Sequence, residues 1–286
     1  MPNNFGGRTD FNRNFDLWSA FVSADYKLND NWTLLAATGA AERPPNLTEL
    51  YAIGPFLSLI QRANSFYIGQ PALEPEKLYQ VDVGFKAKYE RSRFGTTAYY
   101  ALVNDYITFI PLPPPPLTTF PGRQYTNTSR ADFWGIEAYG EWDATGWLTP
   151  FATLNYTEGT NETRSQQVPG VSSEPLPMIF PLDSRVGFRI HEAGKNPRWA
   201  VEFAARMVAA QDLVATSLTE QATPGFTLFD VRGYYRASDR LFLTAGVENL
   251  GDRFYQEHLD AVTVPASQVG LFQPGVNFYF SARVRF

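Results

Sequence analysis

Apolar and polar residues alternate with a period of two along the last nine positions of the chain. One parity carries Phe278, Phe280, Ala282, Val284 and Phe286, and the other carries Tyr279, Ser281, Arg283 and Arg285. This pattern predicts a strand with one apolar face and one cationic face. In water such a strand would invite aggregation, whereas in a membrane barrel its apolar face meets lipid and its polar face meets a wet lumen.

The same alternation recurs in seven further windows, and in each window the charged residues fall on the parity opposite the apolar ones. The windows are 18–27, 79–89, 134–142, 185–190, 199–207, 229–235 and 241–248. A slip of one residue would bring a charge into lipid, at a cost of roughly 2–4 kcal/mol for Arg or Lys at the bilayer midplane. The chain is therefore predicted to be all-β, a transmembrane antiparallel β-barrel.

The windows and their extensions predict eleven strands. They are placed at about 14–28, 32–43, 78–90, 94–109, 124–142, 147–157, 182–191, 199–210, 226–236, 241–250 and 275–286. Short polar turns alternate with long connections between them, as in outer-membrane barrels with periplasmic turns and extracellular loops. Bacterial barrels have even strand numbers, so we expect part of a larger barrel whose chain begins within an extracellular loop.

Composition narrows the class of protein. The chain has 286 residues, no cysteine and a net charge of -5, and 15% of its residues are aromatic. It contains no run of about 18 apolar residues, so a transmembrane helix is not predicted. Its charges are scattered and do not form the basic patch of a nucleic-acid-binding protein. The lack of cysteine excludes thiolate metal sites. We expect no metal site and no cofactor. The start at Met1 lacks a signal peptide, so we expect the N-terminal part of the protein to be missing.

Four short segments carry a family resemblance. They are Ala41-Glu42-Arg43-Pro44-Pro45-Asn46-Leu47-Thr48-Glu49-Leu50-Tyr51, Pro71-Ala72-Leu73-Glu74-Pro75-Glu76, Gly135-Ile136-Glu137, and Gly246-Val247-Glu248-Asn249-Leu250-Gly251-Asp252-Arg253-Phe254-Tyr255. Their order over nearly the whole chain resembles the β-barrel of TonB-dependent outer-membrane receptors, with Gln70 where that family usually has Asn. The terminal Phe286 resembles the signal that the barrel assembly machinery reads.

The resemblance implies a role in active uptake. Such a receptor has 22 strands in the outer membrane of a Gram-negative bacterium, so residues 1–286 would be the C-terminal half of the barrel. It imports a scarce ligand, usually a ferric siderophore and sometimes cobalamin, haem or a glycan. Contact with TonB is made by an N-terminal plug domain, which does not appear in this sequence. The chain is therefore expected to be a partial barrel domain that cannot couple transport alone.

Ligand binding is expected on the long loops, where aromatic and cationic side chains can hold a large anionic, partly aromatic ligand. The candidates are Tyr51, Phe56, Arg62, Phe66, Tyr67, Arg123, Tyr125, Tyr255, His258 and Phe272. Packing within the loops and anchoring at the membrane interface are the alternative roles for these residues. A salt bridge between Arg43 and Glu49 is expected to fix the first long loop, and the proline cluster 111–116 to shape the second.

Charges on the lumen parity are expected to form a network against the plug domain. They are Arg185, Arg189, Arg206, Arg232, Arg283, Glu137, Glu202 and Glu248.

Two other classes of protein remain open. A passive porin could share every strand pattern, although the Asn249-Leu250 and Arg43-Pro44 elements speak against it. A barrel enzyme would have to use His191 or His258, the only histidines, and His258 lies near Glu257 and Asp260. The sequence has no Gly-x-Ser-x-Gly element, and two distant histidines make a poor metal site. We therefore predict no catalytic residues.

Overall fold

The computed structural model describes residues 12–113, 122–194, 196–260 and 270–286, apart from the side chains of residues 57–59 and 62–64. Strands dominate this part of the chain. They are β1 (Ser19–Lys27), β2 (Trp32–Arg43), β3 (Ile53–Leu59), β4 (Arg62–Ile68), β5 (Glu76–Lys88), β6 (Ser92–Leu112), β7 (Gly122–Trp142), β8 (Leu148–Asn161), β9 (Glu174–Pro175), β10 (Asp183–His191), β11 (Trp199–Val208), β12 (Phe226–Arg236), β13 (Leu241–Glu248) and β14 (Asn277–Val284). The helix α1 (Leu47–Tyr51) and the 3-10 turns Arg164–Gln166 and Thr216–Leu218 lie between strands.

Eleven strands form one sheet in which each strand is antiparallel to its neighbours. The order is β1-β2-β5-β6-β7-β8-β10-β11-β12-β13-β14. The prediction of eleven barrel strands and of the all-β class is confirmed, while β3, β4 and β9 lie outside this order. Within the described residues the sheet is open, with β1 and β14 at its edges. Because eleven is odd, the two edge strands run in the same direction. A partial barrel of this kind has a short-turn end and a long-loop end.

The two faces of the sheet differ as the alternation predicts. On the outward face of β5, Val81 and Val83 are more than half exposed, and on β14 Phe278 and Phe280 are 74% and 69% exposed. The opposite face carries ion pairs, such as that between Arg189 and Glu202 at 3.0 Å. Apolar residues that face outward and charges that face inward are the arrangement of a transmembrane β-barrel wall.

Two neighbouring strands extend well beyond the membrane. Strands β6 and β7 contain 21 residues each, whereas about 9–11 residues of a tilted strand cross a bilayer. The outer end of β7 pairs in parallel with β4, where Phe66 lies opposite Gly122. The β3–β4 hairpin therefore extends the sheet at the long-loop end.

The sequence analysis treated residues 44–77 as one long connection, and the structure corrects this. The segment contains α1 and the β3–β4 hairpin, and β5 begins at Glu76. The alternation missed the hairpin because Gly54 and Pro55 interrupt the first strand, and because Tyr67 points into a packed cluster of loop residues. Strand β9, two residues long, was also missed.

Among the residues that the structure describes, no helix is long and apolar enough to cross a membrane.

Candidate functional site

The first long loop is fixed at its start by Arg43. Its Nε donates to Glu76 at 2.5 Å, and its Nη1 lies 3.1 Å from the carboxylate of Glu49. Glu49 also belongs to a capping box, in which its backbone N–H donates to the Asn46 side chain at 2.9 Å and its carboxylate accepts from the Asn46 N–H at 2.7 Å. The predicted Arg43–Glu49 salt bridge is present, and it holds α1 against the end of β2.

Four of the candidate aromatics lie together in the packed interior of the loops. Tyr67 and Tyr125 are buried, and Tyr51 and Phe56 pack against the same cluster. The Tyr67 ring lies 5.8 Å from that of Phe56 and 5.4 Å from that of Phe109. Burial raises the pKa of the Tyr67 phenol above its usual range. In this structure the four side chains pack within the loops, and the Tyr67 ring meets that of Phe56 edge to face.

The candidate Arg123 is buried and joins three parts of the chain. One of its nitrogens donates to the Ser65 hydroxyl at 2.6 Å, and the other donates to the carbonyl of Leu218 at 2.6 Å. Phe66 is half buried beside it, where β4 meets β7. The side chain of Arg62 lies outside the described residues, as do residues 114–116 of the proline cluster.

A second buried arginine, Arg164, escaped the sequence analysis. Its Nε lies 3.0 Å from the Glu174 carboxylate, and another nitrogen donates to the carbonyl of Phe109 at 2.7 Å. Glu174 also accepts from the Ser217 hydroxyl at 2.6 Å. Burial lowers the pKa of Arg164, although the charge of Glu174 acts in the opposite direction. Two opposite charges ten positions apart in a polar loop gave no pattern that could reveal this pair.

His258 is also buried and connects three loops. Its Nδ1 lies 2.8 Å from the Thr223 hydroxyl, and its carbonyl accepts from Gln61 at 2.6 Å. Its Nε2 lies 3.4 Å from the carboxylate of Glu220. The neighbouring Glu257 pairs with Arg206 at 2.6 Å. His258 therefore belongs to the polar interior of the long loops, which pack together and which we call the loop assembly.

The remaining aromatic candidates lie on the last long loop. Tyr255 packs against Phe226, with ring centroids 4.5 Å apart. Phe272 stacks on Phe254 at 3.9 Å. Both rings of this second pair are exposed, Phe272 by 42% and Phe254 by 71%. Among the candidates with a described side chain, Phe272 presents the most open aromatic surface.

The lumen face carries the expected ionic network in part. Buried Glu202 lies 3.5 Å from Arg185, 3.0 Å from Arg189 and 2.7 Å from Arg232. Arg206 lies above them and contacts Asp183 at 2.7 Å. Glu248 instead accepts a hydrogen bond from Asn277. This network makes the wall of the lumen polar directly below the loop assembly.

One cavity lies where the loop assembly meets the lumen wall. It has a volume of about 410 Å³, and its lining includes Met178, Phe180, Arg206 and Glu257. No group of three or more His, Cys, Asp or Glu side chains within the described ranges could hold a metal ion.

The chain belongs to the TonB-dependent receptor family, because the family model for the TonB-dependent receptor-like β-barrel matches residues 2–250. Receptors of this family are outer-membrane proteins of Gram-negative bacteria.

Similarity to solved structures supports the assignment to this family. The copper transporter OprC is 27% identical, with a TM-score of 0.76 over 94% of this chain and 40% of its own. The ferric enterobactin receptor PfeA of Pseudomonas aeruginosa is 17% identical, with a TM-score of 0.64 over 94% of this chain and 40% of its own. The siderophore receptor PirA of the same species is 17% identical, with a TM-score of 0.63 over 93% and 42%. The chain thus spans about two fifths of the length of these proteins.

Proposed function

We propose that this chain forms the C-terminal half of the barrel wall in an outer-membrane receptor that imports a scarce ligand with energy from TonB. The two-faced sheet of eleven strands carries the proposal, because its apolar face suits lipid and its ionic face lines a lumen. The polar network around Glu202 is a suitable surface for a plug domain supplied by another part of the receptor. TonB would act through that domain.

A ferric siderophore is the first candidate ligand. Such ligands are large, anionic and often aromatic, and the long loops are rich in aromatic side chains. We place Phe272, with its stacking partner Phe254, at the ligand surface, since both rings are exposed. The other candidates would act by holding the loops in a shape that fits the ligand. The similarity to the ferric enterobactin receptor PfeA and to the siderophore receptor PirA supports this ligand class.

Copper is the second candidate, and the similarity to OprC favours it. That transporter shares 27% identity with the chain and a TM-score of 0.76, both higher than the values for the two siderophore receptors.

Uptake by the complete receptor in cells tests the proposal. The receptor gene is deleted, and accumulation of ⁵⁵Fe-labelled siderophores and of copper is measured with and without functional TonB. We expect one of these ligands to accumulate only when both the receptor and TonB are present. Uptake that needs the receptor but not TonB would instead identify a passive porin. No receptor-dependent uptake of either ligand would contradict both candidates.

A further inference from the structure

A cavity lies on the outward surface of β10, β11 and β12, near the ends of these strands that lead into the long loops. The register places Ser184, Met207 and Thr227 side by side in one outward row. Next to this row the lining includes Ala209 and Gly225, which are small and leave the surface indented. The cavity has a volume of about 530 Å³, within the range of about 300–1,000 Å³ that is typical of ligand sites.

The position of the cavity along the strands indicates which membrane leaflet it faces. On the outward face of β12, the apolar residues Val231 and Phe229 give way to Thr227. Thr227 lies nine residues from Arg236, the last residue of the strand. At about 3.3 Å per residue, and with strands tilted by about 45°, this is about 21 Å above the short-turn end. The apolar band of such a barrel is about 25 Å tall, and its short turns are periplasmic. The cavity therefore lies where the acyl chains of the outer leaflet meet its headgroups.

Arg253 supplies a cation to the same cavity. It follows β13 in the chain, is exposed, and lines the cavity together with Met207 and Thr227. Its backbone is held by the buried Asn249, whose side-chain oxygen accepts from the Arg253 N–H at 2.8 Å and whose side-chain nitrogen donates to the Arg253 carbonyl at 2.9 Å. The main chain is therefore fixed at this position, while the guanidinium is at the surface.

The charge of Arg253 differs from that of two other cations on the outward parity of the sheet. Lys77 lies 3.0 Å from Asp105, and Arg130 lies 2.7 Å from Asp132. Those two cations are neutralised by carboxylates of this chain. Within the part of the chain that the structure describes, no carboxylate forms an ion pair with Arg253. An anion from the surrounding membrane can therefore bind there without displacing a side chain.

We infer that this cavity binds lipid A, the phosphorylated glycolipid of the outer leaflet, with one phosphate held by Arg253 and an acyl chain lying over Met207 and Phe229. A guanidinium binds phosphate oxygens in a bidentate manner, and the Thr227 hydroxyl adds a donor in the same cavity. The apolar outward residues below this level suit the acyl chain. The inference goes beyond the proposed uptake role, since it does not depend on which ligand the receptor imports.

Native mass spectrometry of the complete receptor in detergent tests the site. Lipid A, phosphatidylglycerol and phosphatidylethanolamine are titrated separately. We expect lipid A to bind most tightly, and Arg253→Gln to weaken its binding about tenfold, because a hydrogen-bonded charge pair is lost. Ala209→Phe leaves the guanidinium in place but narrows the cavity, and it should weaken lipid A binding to a similar extent. Arg253→Lys keeps the charge and should retain part of the affinity.

Arg130→Gln is the matched control, because it also removes an exposed arginine from the outward parity, but one that Asp132 neutralises. This control should bind lipid A like the unmodified receptor. Equal losses in Arg253→Gln and Arg130→Gln, or no loss in Arg253→Gln, would overturn the site. Tighter binding of phosphatidylglycerol than of lipid A, removed by Arg253→Gln, would overturn the choice of lipid and of leaflet.

Discussion

The guanidinium of Arg164 lies 3.0 Å from the carboxylate of Glu174, and the two side chains are only 2% and 6% exposed. Each group comes from the loop between β8 and β10, but both reach Ser217 in the loop between β11 and β12. Arg164 also donates to the carbonyl of Phe109 on β6. One ion pair therefore holds two loops and the outer end of a long strand together.

Arg164→Met should loosen this loop assembly. Removing one partner of a buried pair leaves the other charge unpaired, which typically costs about 3–5 kcal/mol. We expect faster amide hydrogen exchange in residues 211–223 of the complete receptor, while exchange in the strands is unchanged. Arg198→Met is the control, because it removes an exposed arginine from an ion pair with Glu192. Similar exchange in the two variants would show that the buried pair does not hold the loops.

Asn46→Ala should destabilise α1. The Asn46 side chain accepts from the Glu49 N–H at 2.9 Å, and the Glu49 carboxylate returns a hydrogen bond to the Asn46 N–H. Loss of an N-terminal capping residue costs about 1 kcal/mol. We expect hydrogen exchange to rise in residues 47–52. Thr48→Ala, on the exposed side of the same helix, should leave exchange unchanged. A normal rate in Asn46→Ala would mean that Arg43 alone holds the helix.

The strand pattern could be predicted from the sequence because lipid imposes a strict rule. Outward positions on a crossing strand must avoid charge and are mostly apolar or aromatic, so the period of two survives over many residues. Strands β2 and β12 have the predicted bounds for this reason. The boundaries are less accurate at β6 and β14. Strand β6 continues above the membrane, where the rule no longer applies, and β14 ends two residues before Phe286.

The loop assembly could be predicted only in part. The Arg43–Glu49 salt bridge follows from two charges six positions apart in one motif. Arg123, in contrast, contacts Leu218, which is 95 positions away. Long-range packing of this kind leaves no local period in the sequence. From the sequence alone, aromatic residues and arginines in loops are therefore equally compatible with ligand binding and with packing inside the loops.

Val83→Arg should weaken insertion of the receptor into lipid. Val83 lies near the middle of β5, on the outward face, and is 55% exposed. An arginine at the bilayer midplane costs roughly 2–4 kcal/mol. We expect the midpoint of urea unfolding in lipid vesicles to fall by the corresponding amount. Gln80→Arg is the control, because residue 80 faces the lumen beside Asp82. Equal losses in the two variants would contradict the assignment of the faces.

Phe286→Ser should reduce assembly of the complete receptor in the outer membrane. Phe286 is the last residue of the sequence and is fully exposed beyond the end of β14. It buries nothing in this structure, so its removal should cost little folding stability. A loss of assembled receptor would then come from failed recognition by the barrel assembly machinery. The measurement is the yield of folded receptor in outer-membrane fractions, compared with its stability after refolding in detergent. Phe286→Trp keeps a terminal aromatic ring and should keep the yield. An unchanged yield for Phe286→Ser would contradict the role of Phe286 as an assembly signal. So would a yield that falls in parallel with stability in detergent.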